Sequence, residues 1–171
     1  LAPGAHGANR TGRIFTGDSS GDWLYGSLHR AGLATIPTST SIKDGQELID
    51  TRIACAVRCA PPDNKPSIEE RDTCAPYLTK EIEIASKTTT AYVALGSFAW
   101  SAMVKSLREL GHTIPTTKFS HGVKITFLDG SRKITLIGSY HPSQQNTFTG
   151  KLTKPMLDKI FKQAAKAAEI G

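Results

Sequence analysis

Residues 90–111 read TAYVALGSFAWSAMVKSLRELG, and their pattern decides the fold class. The first seven, TAYVALG, form an apolar run without polar alternation, the signature of a short strand covered on both faces. Residues 97–110 then repeat apolar side chains at helical spacing, and Gly111 closes the helix. A buried strand feeding a helix across one glycine is a unit of an α/β sheet, which gathers its ligands at the strand C-termini.

Working outward from this unit gives the remaining elements. Upstream, Ile53-Ala54-Cys55-Ala56-Val57 is a second apolar run and is expected to be a buried strand. It leads into Arg58-Cys59-Ala60-Pro61-Pro62-Asp63-Asn64-Lys65-Pro66, a loop stiffened by its prolines. Ser67 with Glu70 forms a capping box that opens a helix through about Ile84. Ser19-Ser20-Gly21-Asp22 reads as an earlier helix start, with Trp23, Leu24, Leu28 and Ala31 on its apolar face and Gly32 as its stop. Residues 33–50, with Pro37 and the Thr/Ser cluster from Thr38 to Ser41, read as irregular. Downstream, strands Val123 to Leu128 and Ile134 to Ile137 are joined across Asp129-Gly130, a hairpin signal. The second strand delivers the chain to Gly138-Ser139-Tyr140-His141-Pro142-Ser143. A last helix covers 153–169, with Leu157, Ile160, Phe161, Ala164, Ala165 and Ala168 on one face. This order predicts an α/β protein, a three-layer α/β/α sandwich around a central, mainly parallel sheet, as a single domain over residues 1–171. There is no internal repeat and no low-complexity segment.

Composition narrows the function classes. The chain has 171 residues, enough for one full core, and its 39% hydrophobic content is that of a globular protein. No apolar run is long enough to span a bilayer, so no membrane partner is expected. The first residue is Leu1 rather than Met, and an upstream segment is expected to be missing. The formal charge of +6 suits a phosphate-bearing partner and equally suits ordinary solubility. Three cysteines, an odd number, argue against a closed disulfide framework and fit a reducing compartment or a metal site.

Three stretches carry candidate chemistry. The opening LAPGAHGANRTGRIFTGD, residues 1–18, bends repeatedly at Pro3, Gly4, Gly7, Gly12 and Gly17 and runs into a helix N-terminus, where free amides favour anions and acceptors. It matches neither GxxxxGK[ST] nor a clean GxGxxG, which weakens triphosphate and dinucleotide readings. Within it, Phe15 can stack on a flat ring or plug the core. Asp18 can cap the helix, or orient water and stabilise a developing cation. The second stretch holds Cys59 and Cys74, which either share a metal or cluster or are two unrelated small residues. The third is YHPSQQNTFTGKLT, residues 140–153, where His141 follows a strand end and begins a loop of amides and hydroxyls. An imidazole there can donate to a leaving group or act in acid–base catalysis, and Lys151 and Lys154 can touch phosphates.

Together, and in this order, the three stretches resemble the uracil-DNA glycosylase superfamily, most closely its family 5, the broad-specificity B-type enzymes of bacteria and archaea. LAPGAHGANRTGRIFTGDSSG is similar to that family's first motif, RCAPPDNKPSIEERDTCAPYL to its middle segment and YHPSQQNTFTGKLT to its second motif. The resemblance covers essentially the whole chain. It implies the glycosylase α/β/α fold and hydrolysis of the N-glycosidic bond of uracil in DNA, leaving an abasic site, with other deaminated bases such as hypoxanthine also accepted. It implies catalytic roles for Asp18, for His141 near the base O2, and for Asn64 near the scissile nucleotide. Phe15 would stack on the flipped base in a base pocket with Gly4, Ala5, His6 and Cys55. Ser143, Gln144, Gln145, Asn146 and Lys151 would meet DNA at the gap left by that base. It also implies a 4Fe–4S cluster, with Cys59 and Cys74 as two ligands and two more in the missing N-terminal segment. A monomer in the bacterial or archaeal cytoplasm, associated with the nucleoid, is expected.

Two positions depart from stricter families. Gly4-Ala5 stands where those enzymes keep a polar side chain to activate water, and Cys55 stands where an asparagine reads the uracil edge, a reading for which a thiol is poorly suited. Both imply a permissive pocket. Two other function classes stay in view: a non-catalytic iron–sulfur nucleic-acid-binding protein on the same fold, and a nucleotide- or phosphate-ligand enzyme using the opening loop.

Overall fold

The computed structural model describes residues 2–169. In chain order these form α1 (Ala8–Thr11), α2 (Ser19–Arg30), a 3-10 turn (Pro62–Asn64), α3 (Ile68–Ala85), β1 (Ala91–Leu95), α4 (Ser97–Glu109), β2 (Lys124–Asp129), β3 (Arg132–Ser139), α5 (Gln144–Phe148) and α6 (Lys154–Ala167).

β3 is the centre of the sheet, whose order is β1-β3-β2. It pairs in parallel with β1, Ala91 opposite Thr135 through Leu95 opposite Ser139, and antiparallel with β2. Residues Ile134 to Ser139 are all buried because both faces of β3 are covered. Ile134 and Leu136 pack with Leu78 and Ile82 of α3 and Trp100 and Leu107 of α4. Ile137, on the alternate face, packs on Ile160 and Ala164 of α6. α2 lies outside α6, joining Leu24, Tyr25 and Leu28 to Leu157, Phe161 and Ala165. The layers are therefore α3 and α4, the sheet, then α6 with α2.

The α/β class and the layering match the expectation, but the sheet is mixed rather than mainly parallel. The run at 53–57 is the reason. Cys55, Ala56 and Val57 are buried as expected, yet the segment is irregular and bends from 56 to 59 instead of pairing with a strand. An apolar run predicts burial, and whether a buried segment finds a ladder depends on neighbours that periodicity cannot reveal. β2 shows the opposite case: Ile125 and Phe127 are buried while Lys124, Thr126 and Leu128 are exposed, the alternation of a strand packed on one face.

Local signals set the helix ends. Ser67 Oγ accepts from the Glu70 amide at 3.0 Å and Glu70 Oε2 accepts from the Ser67 amide at 2.7 Å, so the capping box forms as read. α2 ends at Gly32, whose φ of +75° is the left-handed stop that glycine takes without strain. α6 is fastened to α2 through Asp158, which accepts from Ser27 Oγ at 2.7 Å and from the Arg30 guanidinium at 2.8 Å on both oxygens. The Arg30 guanidinium holds the Asp158 carboxyl below the usual carboxylate range.

Leu136 is wholly buried at the sheet centre. Leu136→Ala is expected to destabilise the fold by about 2–5 kcal/mol, through lost transfer energy and the cavity left behind. Chemical denaturation measures it, and a loss well under about 1 kcal/mol would contradict this packing.

Candidate active site

The opening loop is held by a buried polar network as well as by the packing of Phe15 against the core shared by α2 and α6. Thr16 and Ser39 are fully buried, and their hydroxyls meet at 2.6 Å. Arg13 reaches the same point: its Nη1 donates to Ser39 Oγ and to Asp44 Oδ1, each at 2.9 Å, and its Nη2 donates to the Ile42 carbonyl at 3.1 Å. The Gly17 amide donates to the Ser39 carbonyl at 3.0 Å, and Tyr25 Oη donates to the Ile14 carbonyl at 3.2 Å. Desolvation opposes ionisation of Asp44, but the amides of Gln46, Thr40 and Ser41 and the Arg13 guanidinium outweigh it and hold the carboxyl far below its usual range. The segment read only as irregular, 33–50, is thus what braces the loop.

Asp18 does two things at once. Its Oδ1 accepts from the Gly21 amide at 2.8 Å and caps α2. Its other oxygen lies against the Gly4–Gly7 turn, so closely that a Cβ on Gly7 would overlap it. A Cβ on Gly21 would overlap the Phe15 carbonyl, so Gly21 lets the start of α2 press against the residue that carries the candidate stacking ring. The two readings of Asp18, cap and functional carboxylate, are therefore compatible: one oxygen serves the helix and the other faces the loop.

Phe15 sits at φ +57°, in the left-handed region that a bulky residue rarely adopts. Its ring centroid is 5.6 Å from that of His141, with the planes tilted by 34°. His141 is carried here by the end of β3, where the Gly96 amide donates to the Ser139 carbonyl at 2.7 Å and joins the ends of β1 and β3. Asn146 Nδ2 donates to the His141 carbonyl at 2.9 Å and folds α5 back over this turn. Burial pushes the His141 imidazole down to about 4, so the ring is neutral at pH 7.

The 3-10 turn brings in Asn64, at φ +55°, a conformation asparagine tolerates. Its Oδ1 accepts from the Ala5 amide at 3.1 Å. The fold thus brings Gly4, Ala5, Phe15, Asp18, Asn64 and His141 into one linked mouth. His6 is exposed, and its carbonyl accepts from Arg10 Nε at 2.9 Å. Cys55 is buried, which raises its thiol pKa, and no hydrogen bond described joins it to the mouth. Gln144 and Gln145 are exposed on α5, Ser143 precedes them as its N-cap, and Asn146 and Phe148 follow on the same helix. Lys151 Nζ stands 4.8 Å above the Tyr140 ring. Phe148 is 80% exposed, which excludes a core role for it.

Cys59 is exposed on its loop and Cys74 is partly buried on α3. Their chemistry suits a soft metal or an iron–sulfur cluster, but two thiols are half of a four-thiolate set. Among the described residues no group of three or more His, Cys, Asp or Glu side chains is arranged to hold a metal ion. The described residues therefore do not make up a complete cluster site, and no chemical step below runs through one.

Sequence reading assigns no role to Arg13, Ser39 or Asp44. The Thr/Ser cluster beside Pro37 was the available signal, because short hydroxyl side chains in a loop can satisfy buried backbone groups.

Residues 1–165 match the family model described as the uracil DNA glycosylase superfamily. The chain is 52% identical over 170 residues to a protein of Mycobacterium tuberculosis (strain CDC 1551 / Oshkosh) named Type-5 uracil-DNA glycosylase, the alignment covering 99% of this chain and 62% of that protein. Proteins of the same name from Thermus thermophilus and Pyrobaculum aerophilum are 44% and 42% identical, with 98% of this chain covered in each case and 73% and 70% of theirs. The chain spans less than two thirds of the length of the M. tuberculosis relative. On the match along nearly its full length, the chain belongs to the uracil DNA glycosylase superfamily.

Proposed function

We propose that this chain hydrolyses the N-glycosidic bond of uracil in DNA and leaves an abasic site. The observation that carries the reading is the meeting of the Phe15 and His141 rings at 5.6 Å, Phe15 coming from the loop whose Gly4–Gly7 turn faces the Asp18 carboxylate, in a chain half identical to proteins named for that activity. A base within a duplex is out of reach, so the nucleotide must swing out, at a cost of a few kcal/mol that is smallest at a mismatch. The flipped base stacks on Phe15. Cleavage places negative charge on the leaving base and positive charge on the sugar. His141, neutral at pH 7 through desolvation, donates its one ring N–H to the developing base anion. The Asp18 oxygen not used by the cap stabilises the sugar cation or holds the attacking water. Asn64 steadies the Gly4-Ala5 turn through Oδ1 and keeps Nδ2 for the nucleotide. Gln144, Gln145, Asn146 and Lys151 engage the strand around the gap, and exposed Phe148 lies on the same segment.

The absence of a polar side chain at Gly4-Ala5 supports a permissive pocket, so hypoxanthine and other deaminated bases are proposed as further substrates. With Cys59 and Cys74 as its candidate thiolates, an iron–sulfur cluster would have a structural or DNA-positioning role.

Asp18→Asn is the informative substitution, because asparagine caps a helix as well as aspartate while removing the charge. Asp18→Asn and His141→Ala are each expected to slow single-turnover excision from a uracil oligonucleotide by about 100- to 1000-fold, the effect of removing one preorganised group. DNA affinity should change little. Alkali-labile breakage by the wild type with near-wild-type rates in both variants would overturn the assignment of roles. A shifted band without breakage in any sample would favour a non-catalytic DNA-binding protein. By nuclear magnetic resonance the His141 ring is expected to stay neutral from pH 8 to 5 and to titrate near 4. A midpoint at the ordinary histidine value of about 6.5 would remove the argument from burial.

A further inference from the structure

We propose that His121 is a positioning residue for His141 and for the loop that follows it, acting as a fixed hydrogen-bond acceptor at the end of β3; this rests on the glycosylase reading above. Along β3 the backbone partners run out at Tyr140. Gly138 is held on the β2 side by two bonds, its carbonyl accepting from the Gly122 amide and its amide donating to the Val123 carbonyl, each at 2.8 Å. On the other side the Ser139 carbonyl accepts from the Gly96 amide at 2.7 Å. The next amide, that of Tyr140, donates to His121 Nδ1 at 3.2 Å. A side chain thus extends the sheet by one residue and fixes the peptide immediately before His141.

The imidazole is itself well anchored. Residues 119–123 press directly on β3: a Cβ on Gly138 would lie 2.6 Å from Val123 Cγ1, 3.1 Å from the Ser120 carbonyl oxygen and 3.2 Å from Phe119 Cε2. The His121 and Tyr140 ring centroids are 5.1 Å apart, and Phe119 meets the Tyr140 ring edge-on at 6.2 Å. The backbone of Met156, in the first turn of α6, lies near enough to the His121 ring to favour its charged form, a smaller effect than burial. His121 therefore holds the start of the segment 141–153, which carries His141, α5 and Lys151. Acceptance at Nδ1 requires the neutral ring protonated at Nε2. Burial, aided by the Lys159 charge, favours that neutral form.

Three substitutions separate an acceptor from a packing group. Asparagine places Oδ1 near the position of Nδ1, glutamine places its acceptor near Nε2, and leucine fills space without one. Two readouts apply: hydrogen exchange at the Tyr140 amide, and the single-turnover excision rate measured beside DNA affinity. His121→Leu and His121→Gln are expected to speed Tyr140 exchange and to slow excision by about tenfold, the loss of one neutral hydrogen bond. Affinity should hold within about threefold on the same grounds. His121→Asn should stay within about threefold of wild type in both readouts. Wild-type exchange and rate in His121→Leu, or His121→Asn as impaired as His121→Leu, would overturn the proposal. Uracil DNA left intact by the wild type would instead refute the glycosylase reading, with Tyr140 exchange still deciding what His121 does.

Discussion

The Asp18 carboxylate divides its two oxygens between a helix and a loop, and the rest of the mouth depends on that division. Oδ1 caps α2 through the Gly21 amide, and the other oxygen rests on the Gly4–Gly7 turn. Because Gly21 also lies against the Phe15 carbonyl, one carboxylate sets the start of α2, the shape of the turn and the backbone beneath the aromatic ring. A helix N-terminus leaves amides without partners, and it tolerates an anion beside it. The charge that the proposed glycosidic cleavage would use near the sugar therefore sits at a place where the backbone stabilises it.

The scaffold brings the second half of the mouth to the first. β1 and β3 end together at the Gly96–Ser139 bond, and the chain leaves β3 directly into Tyr140-His141. This follows the general habit of α/β sheets, in which ligands lie beyond the carboxyl ends of parallel strands. Phe15 comes from a loop and His141 from the sheet, so the distance between their rings is fixed by two independent sets of contacts. On the loop side these are Arg13, Ser39, Thr16 and Asp44. On the sheet side they are the β3 pairings and the anchors on Tyr140 and His141.

Much of this was legible in the sequence where the governing physics is local. The Ser67–Glu70 capping box, the β1–α4 unit, the Asp129-Gly130 hairpin and the helix stop at Gly32 each follow from side-chain chemistry within a few residues. What sequence reading missed is non-local. Residues 53–57 were expected to be a strand and are instead a buried irregular segment, because strand pairing needs a partner that the run itself does not specify. The short helices α1 and α5 lack the length that makes periodicity visible. The Arg13–Ser39–Asp44 network joins side chains 26 and 31 residues apart, and single polar residues in a loop carry no mark of such a partner. For the site itself, motif order named Phe15, Asp18, Asn64 and His141 as candidates, whereas the sharing of Asp18 between cap and loop could be read only from coordinates.

The most direct measurement of the central claim uses DNA carrying 2′-fluoro-2′-deoxyuridine, which resists cleavage, titrated into isotopically labelled protein. The Phe15 ring, the His141 imidazole and the Gly4–Gly7 amides are expected to shift together at one binding constant, as parts of one mouth around one base. Shifts confined to another surface, such as the groove between α4 and residues 116–117 lined by Trp100 and Arg108, with Phe15 and His141 unmoved, would contradict it.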